Sequence, residues 1–261
     1  VAALGEASEM SGESSTRTDI GIPDVQVTLL QKLLQTGKPV VLVLFSGRPL
    51  TLRWENEHVP GILNVWFGGT EAASAIADVL FGDVNPSGKL PMTYPQNVGQ
   101  IPLYYNHKNT GRPLSPGKWF EKFRSNYLDV SNEPLYPFGY GLSYTSFEYG
   151  DIKLSSSSID THGELIVSVD VTNTGNIDGA EVVQLYLRDV MGSVTRPVKE
   201  LKGFEKVFLK AGESRTVYFK ITVELLKFYN YDLKYVFEPG EFEIMIGGNS
   251  KDLKSVRCVV N

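Results

Sequence analysis

Ionisable side chains crowd into the opening stretch of this sequence. Glu6, Glu9 and Glu13 lie close together, and Arg17 and Asp19 follow in the same polar segment before Pro23. Carboxyl groups carried on a loop can give and take protons, and a neighbouring cation can orient them. Ordinary solvated loop carboxylates have the same spacing, and the residues alone leave both readings open. Arg17 and Asp19 read as a charge pair that orients the loop; an exposed pair contributes little energy, so positioning is the most such a pair does. Metal chemistry has less support, because His58, His107 and His162 are not spaced i, i+4 and Cys258 is the single cysteine. That cysteine lies in an apolar stretch and is expected to be a small buried residue, with no disulfide possible. Gly68-Gly69 precedes a helical pattern, where anions can bind. No nucleotide fingerprint accompanies it, so close strand–helix packing is the preferred reading.

The elements that must position these residues change character along the chain. Val1-Ala2-Ala3-Leu4-Gly5 reads as the end of a buried strand with no initiating methionine, and the chain is expected to be a piece of a longer protein. Leu29, Leu30, Leu33 and Leu34 recur at helical spacing and predict a helix over 25–36, ended by Gly37. Val40–Phe45 is an uninterrupted apolar run of the kind buried on both faces of a sheet, and Gly61–Phe67 predicts a second such strand. A further helix is expected over Glu71–Leu80. This strand–helix rhythm implies a mainly parallel α/β sheet, whose functional loops lie at the carboxyl ends of its strands.

From about Gly82 to Tyr144 Pro and Gly punctuate a stretch rich in Tyr, Phe and Trp, which argues for functional or interfacial loops over slack linker. Beyond Ser143 the period becomes two, in Leu165, Val167, Val169 and Val171, again in Val183, Leu185 and Leu187, and last in Phe242, Ile244 and Ile246. Short strands with turns about every ten residues predict an antiparallel β-sandwich. The division is placed between residues 144 and 145.

The composition excludes several classes. With 261 residues, 42% of them hydrophobic and 21% charged, the chain is long enough for two modest cores. A net charge of −5 without long runs of one sign gives nothing to attract phosphate backbones, so no nucleic-acid partner is expected. The longest apolar run is far short of the ~20 residues of a membrane helix, and no membrane insertion is expected.

The order of motifs resembles glycoside hydrolase family 3. It runs Gly5-Glu6, Ser11-Gly12-Glu13-Ser14, Arg17-Thr18-Asp19-Ile20, Gly47-Arg48-Pro49-Leu50, Ala77-Asp78-Val79-Leu80-Phe81-Gly82, Asn85-Pro86-Ser87-Gly88-Lys89-Leu90-Pro91 and Tyr136–Tyr144. Residues 1–144 look like an incomplete C-terminal α/β sandwich domain of that family. Residues 145–261, with Val171-Thr172-Asn173-Thr174-Gly175, Leu201-Lys202-Gly203-Phe204 and Pro239-Gly240-Glu241-Phe242, look like its fibronectin type III-like domain.

The resemblance, nearest to the periplasmic β-glucosidase branch, implies a retaining, exo-acting hydrolysis of β-glucosides that needs two carboxyl groups from two domains. It places the general acid/base at Glu13, with Glu6 and Glu9 as rivals, and the nucleophile in an N-terminal (β/α)8 barrel not represented here. Arg48 could hydrogen-bond a sugar or a barrel carboxylate, or serve a structural role between domains. Trp119 and Phe120 could stack on a sugar or pack against the barrel. The chemistry implies no cofactor, and the resemblance implies a periplasmic or secreted protein. The rival reading from another class is a non-catalytic carbohydrate-binding or adhesion module.

Overall fold

The computed structural model describes all residues except Thr110, Pro116, Thr161 and His162, so the reading of His162 lies outside the described residues. Contacts divide the chain into two compact units. The first comprises Val1–Val84, Met92–Leu103 and Tyr127–Tyr136; the second comprises Asn85–Pro91, Tyr104–Asn126 and Pro137–Asn261.

The first unit is built on a three-stranded parallel sheet, β1 (Ala2–Gly5), β2 (Val41–Phe45) and β3 (Gly61–Asn64), in that spatial order. The central strand is apolar on both faces, and Leu42, Val43 and Leu44 are buried at 2% exposure or less, as the unbroken run requires. Helix α1 (Asp24–Leu34) turns Leu30 inward. Its Gln26 clasps β1, the side-chain Nε2 donating to the Gly5 carbonyl (3.0 Å) while the Gly5 N–H donates to Oε1 (2.8 Å).

Two features depart from the sequence pattern. The strand expected over Gly61–Phe67 stops at Asn64, because Trp66 takes φ 49, a left-handed conformation that breaks an extended run. A short helix that the periodicity did not reveal, α2 (Arg53–His58), follows β2, with Trp54 and His58 stacked at 4.7 Å. Helix α3 (Ala72–Phe81) ends at Gly82, whose φ of 87 forms a left-handed cap. A Cβ on Gly68 would sit 2.5 Å from the Ala72 Cβ at the start of α3, whereas one on Gly69 would meet nothing, so the close approach involves one glycine of the pair and the helix alone, β3 having ended at Asn64.

The second unit is a β-sandwich. One sheet joins β4 (Phe147–Tyr149) and β5 (Lys153–Leu154) to β7 (Glu164–Asn173), and β7 in turn to β10 (Ser214–Thr222); the other has the order β6 (Ser158–Ile159), β14 (Leu253–Val260), β13 (Gly240–Gly247), β8 (Gly179–Asp189), β9 (Glu200–Leu209). A two-stranded hairpin, β11 (Phe228–Tyr229) and β12 (Tyr235–Val236), is separate from both. The pairings are antiparallel except β6 with β14. The alternating residues meet between the sheets: Leu165, Val167, Val169 and Val171 of β7 face Val183, Leu185, Ile244 and Ile246, each at most 1% exposed. Cys258 is buried among them and unpaired, and burial pushes its thiol up to about 11, which leaves it inert as a nucleophile. At the β7–β8 turn the fully buried Asn173 amide is satisfied, donating to the Leu209 and Ile177 carbonyls and accepting from Thr145 and Gly175.

Among the described residues no helix is long and apolar enough to cross a membrane.

Candidate functional site

Parallel pairing puts the carboxyl ends of the three strands side by side, with Gly5 opposite Phe45 and Leu44 opposite Asn64. Each strand delivers polar groups at that end: Glu6 after β1, Ser46, Gly47 and Arg48 after β2, and Asn64 closing β3. The loop over residues 6–23 springs from this edge.

Glu6 is the centre of the arrangement. Its N–H continues the ladder by donating to the Phe45 carbonyl (2.8 Å), and its side chain, 1% exposed, turns onto the end of β2. One carboxylate oxygen meets Arg17 Nη1 at 3.0 Å and Arg48 Nε at 3.0 Å; the other accepts from the Gly47 N–H at 3.2 Å. Both arginines carry on to backbone, Arg17 Nη2 to the Gly21 carbonyl (3.1 Å) and Arg48 Nη2 to the Met10 carbonyl. Arg17 therefore pairs with Glu6, and the expected pairing with Asp19 is not formed. Asp19 is exposed and accepts the Gly21 N–H instead (2.9 Å).

The three glutamates thus occupy three different settings. Glu6 is covered and held by cations. Glu9 is exposed on a single 3-10 turn, and its own backbone N–H and the Ser8 hydroxyl hold its carboxyl below the ordinary glutamate range. Glu13 is exposed in the turn closed by the Ser15 N–H on the Gly12 carbonyl (3.1 Å), next to Ser14 at φ 61. Among the described residues Glu13 has no hydrogen bond or ion pair. A carboxyl open to solvent can exchange a proton with a substrate, a setting that Glu9 and Glu13 share and that Glu6 lacks.

Arg48, which the sequence left between sugar contact and a structural role, has two of its nitrogens on the loop. Trp119 belongs to the second unit and is 54% exposed beside the exposed Phe120. Its segment is closed by the Ser125 N–H on the Arg112 carbonyl (2.9 Å) and pinned by Glu121, which accepts from the Ser115 N–H (2.9 Å). His107 has its ring Nδ1 3.4 Å from the Lys108 carbonyl, and its own carbonyl accepts from the Val198 N–H (2.9 Å). No group of three or more His, Cys, Asp and Glu able to hold a metal ion occurs among the described residues.

Sequence reasoning treated Glu6 only as a rival acid and did not foresee its link to Arg48. The available signal was topological: two neighbouring parallel strands ending in register must bring Glu6 and Gly47-Arg48 together. A second unforeseen acid, Glu55 of α2, lies beside an open groove bordered by Thr18, Trp54 and Gln96. It is only 4% exposed, and burial raises its carboxyl, against smaller opposing effects of its own N–H and His58. A raised folded value means that the fold disfavours the charged form, so Glu55 costs stability as pH rises from its unfolded value through the folded one. The variant Glu55→Gln is expected to unfold at the wild-type temperature near pH ~4 and at a higher one near pH ~7. A gap in melting temperature that is the same at both pH values would contradict this.

Comparison with known proteins finds two families, whose bounds differ from those of the two compact units, the second unit taking in Asn85–Pro91, Tyr104–Asn126 and residues 137–144 as well. Residues 1–144 match the family described as Glycosyl hydrolase family 3 C-terminal domain, and residues 181–250 match the Fibronectin type III-like domain. A periplasmic beta-glucosidase of Salmonella typhimurium is 55% identical over 97% of the chain and 33% of its own length; a beta-xylosidase of Formosa agariphila is 45% identical over 100% and 35%. The solved beta-glucosidase of Listeria innocua in complex with glucose superposes with a TM-score of 0.94 at 47% identity, covering 100% of this chain and 36% of that one. The chain spans about a third of the length of the curated relatives it matches. On the match that takes in more than half of its residues, the chain belongs to glycosyl hydrolase family 3.

Proposed function

We propose that this chain is the C-terminal portion of a retaining, exo-acting β-glucosidase that removes non-reducing terminal β-D-glucosyl residues, with Glu13 as general acid/base. The single observation that carries this reading is that Glu13 stands exposed, and unpartnered among the described residues, on a loop at the carboxyl end of a parallel sheet. Relatives named β-glucosidase and β-xylosidase support the reaction class.

In this reading an upstream (β/α)8 barrel supplies the nucleophilic carboxylate and most of the sugar subsites. The nucleophile attacks the anomeric carbon while Glu13 protonates the departing oxygen. Glu13 then takes a proton from the water that releases the sugar, its carboxyl standing about 5 Å from the nucleophile. The reaction is proton transfer and displacement throughout, which the two carboxyl groups perform without a cofactor. Arg48 Nη1 and the exposed Trp119 ring are the proposed sugar contacts on this chain, the first by hydrogen bond and the second by stacking on the C–H face. A periplasmic or secreted location is proposed from the relative named periplasmic beta-glucosidase.

The full-length protein is expected to hydrolyse a nitrophenyl β-D-glucoside with β-glucose as the first product seen by proton NMR, while the 261 residues alone leave it intact. Release of α-glucose would overturn the retaining reading. Sugar binding by this chain, with no turnover by any longer form, would favour the non-catalytic carbohydrate-binding module.

A further inference from the structure

A general acid has two requirements that pull against each other. Its carboxyl must stay open to the substrate, yet it must stand within hydrogen-bond reach of one oxygen atom of that substrate. A side chain cannot fix itself without partners, so the backbone that carries it has to be fixed by something else. In the segment around Glu13 that something is visible.

We propose that Glu6 is the positioning residue of the site, holding the loop that presents Glu13 through its two arginines. This rests on the reading of Glu13 as acid/base. The straps run from one buried carboxylate to both ends of the loop. Arg48 ties Glu6 to the Met10 carbonyl on the outgoing side, and Arg17 ties it to the Gly21 carbonyl on the returning side. Between them Ser11 rests on the end of β2, where a Cβ on Gly47 would meet its hydroxyl at 1.8 Å. What is left between these anchors is residues 12–16, all exposed, with Glu13 among them.

Burial decides that this cluster is more than a surface ion pair. Exposed pairs contribute almost nothing, because water competes for both partners. Glu6 has a side chain 1% exposed, with Arg17 and Arg48 at 21% and 22%, so its charge has little water to turn to when a strap is removed. The same enclosure rules Glu6 out as the proton donor. Both of its oxygens already accept from N–H groups, and no face of the carboxyl is open to a substrate.

The geometry also makes the effect specific. Displacing a catalytic group by about 1 Å costs on the order of 10²-fold in rate, without loss of the fold. Loosening the straps should therefore damage proton delivery while sparing steps that need no proton from Glu13. A dinitrophenyl leaving group departs unaided, whereas an alkoxide does not, so the two aglycones separate these effects.

The experiment compares Glu6→Gln, Arg17→Met, Glu13→Gln, Glu13→Ala and Glu6→Ala in the full-length enzyme, with kcat/KM measured on an alkyl and a dinitrophenyl β-glucoside. Glu6→Gln is expected to lower kcat/KM for the alkyl glucoside by about 10²-fold and to change the dinitrophenyl value by no more than about threefold. Arg17→Met, which leaves Glu6 paired with Arg48, should show the same split in smaller measure. Equal loss on both substrates, with a lowered melting temperature, would make Glu6 a purely structural residue and overturn the proposal. No loss on either would overturn it as well. Azide separates this failure from a failure of the Glu13 assignment. It is expected to yield glycosyl azide with Glu13→Ala, which lacks the acid/base, and none with Glu6→Ala. Azide product from Glu6→Ala but not from Glu13→Ala would make Glu6 itself the acid/base.

Discussion

Replacing Glu13 by Ala in the full-length protein is expected to lower kcat/KM for an alkyl β-glucoside by about 10²–10⁴-fold, the span that a positioned proton donor contributes. The dinitrophenyl glucoside should lose far less in kcat/KM, because its first step needs no protonation. Its kcat should nonetheless fall, since the second step still lacks a base to activate water, and azide, which needs no base, should restore turnover as glycosyl azide. The local structure makes the variant clean. Glu13 is exposed and has no partner among the described residues, so its removal leaves the Glu6 cluster and the sheet untouched. A loss of equal size in kcat/KM on both aglycones, or an unchanged kcat/KM on the alkyl glucoside, would remove Glu13 from the acid/base role.

The second large effect is on folding. Gly5 has φ 138, and a Cβ there would lie 1.9 Å from the Phe45 carbonyl oxygen and 2.8 Å from the carbonyl carbon, both of them backbone. No rotamer change relieves a clash with backbone, so Gly5→Ala must open β1 from β2. That movement would strain the Glu6 N–H to Phe45 carbonyl bond and the double clasp of Gln26 on Gly5. With backbone strain of about 1–3 kcal/mol before any lost hydrogen bond is counted, Gly5→Ala is expected to destabilise the first unit by about 3 kcal/mol or more. Urea unfolding followed by tryptophan fluorescence, which reports Trp54 and Trp66 of this unit, should show its midpoint lowered or the transition absent. An unchanged midpoint would show that the β1–β2 junction accepts a side chain.

Periodicity was a reliable guide wherever one face of an element is buried. The leucines of α1, the unbroken apolar run of β2 and the alternation of β7, β8 and β13 each describe a surface turned toward a core, and each element takes in its expected residues, Val40 just before β2 excepted, with β8 starting four residues before its alternation. It failed where the decisive interaction is local or long-range. The β3 run ends early because a single backbone angle at Trp66 overrides an apolar pattern, and α2 is too short to show a stripe. The site divides the same way. The order of motifs pointed to Glu13, whereas the partner of Arg17 depends on which strands are neighbours. A reader of spacing alone pairs Arg17 with Asp19 two residues away. The sheet brings it Glu6, eleven residues away, because Glu6 and Arg48 emerge together from adjacent strand ends.

The two straps have a consequence for variation and design. Because the loop is tied down on both sides of residues 12–16, its tip is an interchangeable cassette whose ends are already joined in space. Lengthening such a closed segment is inexpensive, each doubling adding only about 0.6 kcal/mol of closure entropy. Insertions between Gly12 and Thr16 would lengthen the exposed tip without disturbing the strands beneath; with Glu13 as the proposed acid, they would also displace its carboxyl, at a cost in rate. The length of the tip and the stability of the unit can therefore change independently in this scaffold, so long as Glu6, Arg17 and Arg48 stay in place.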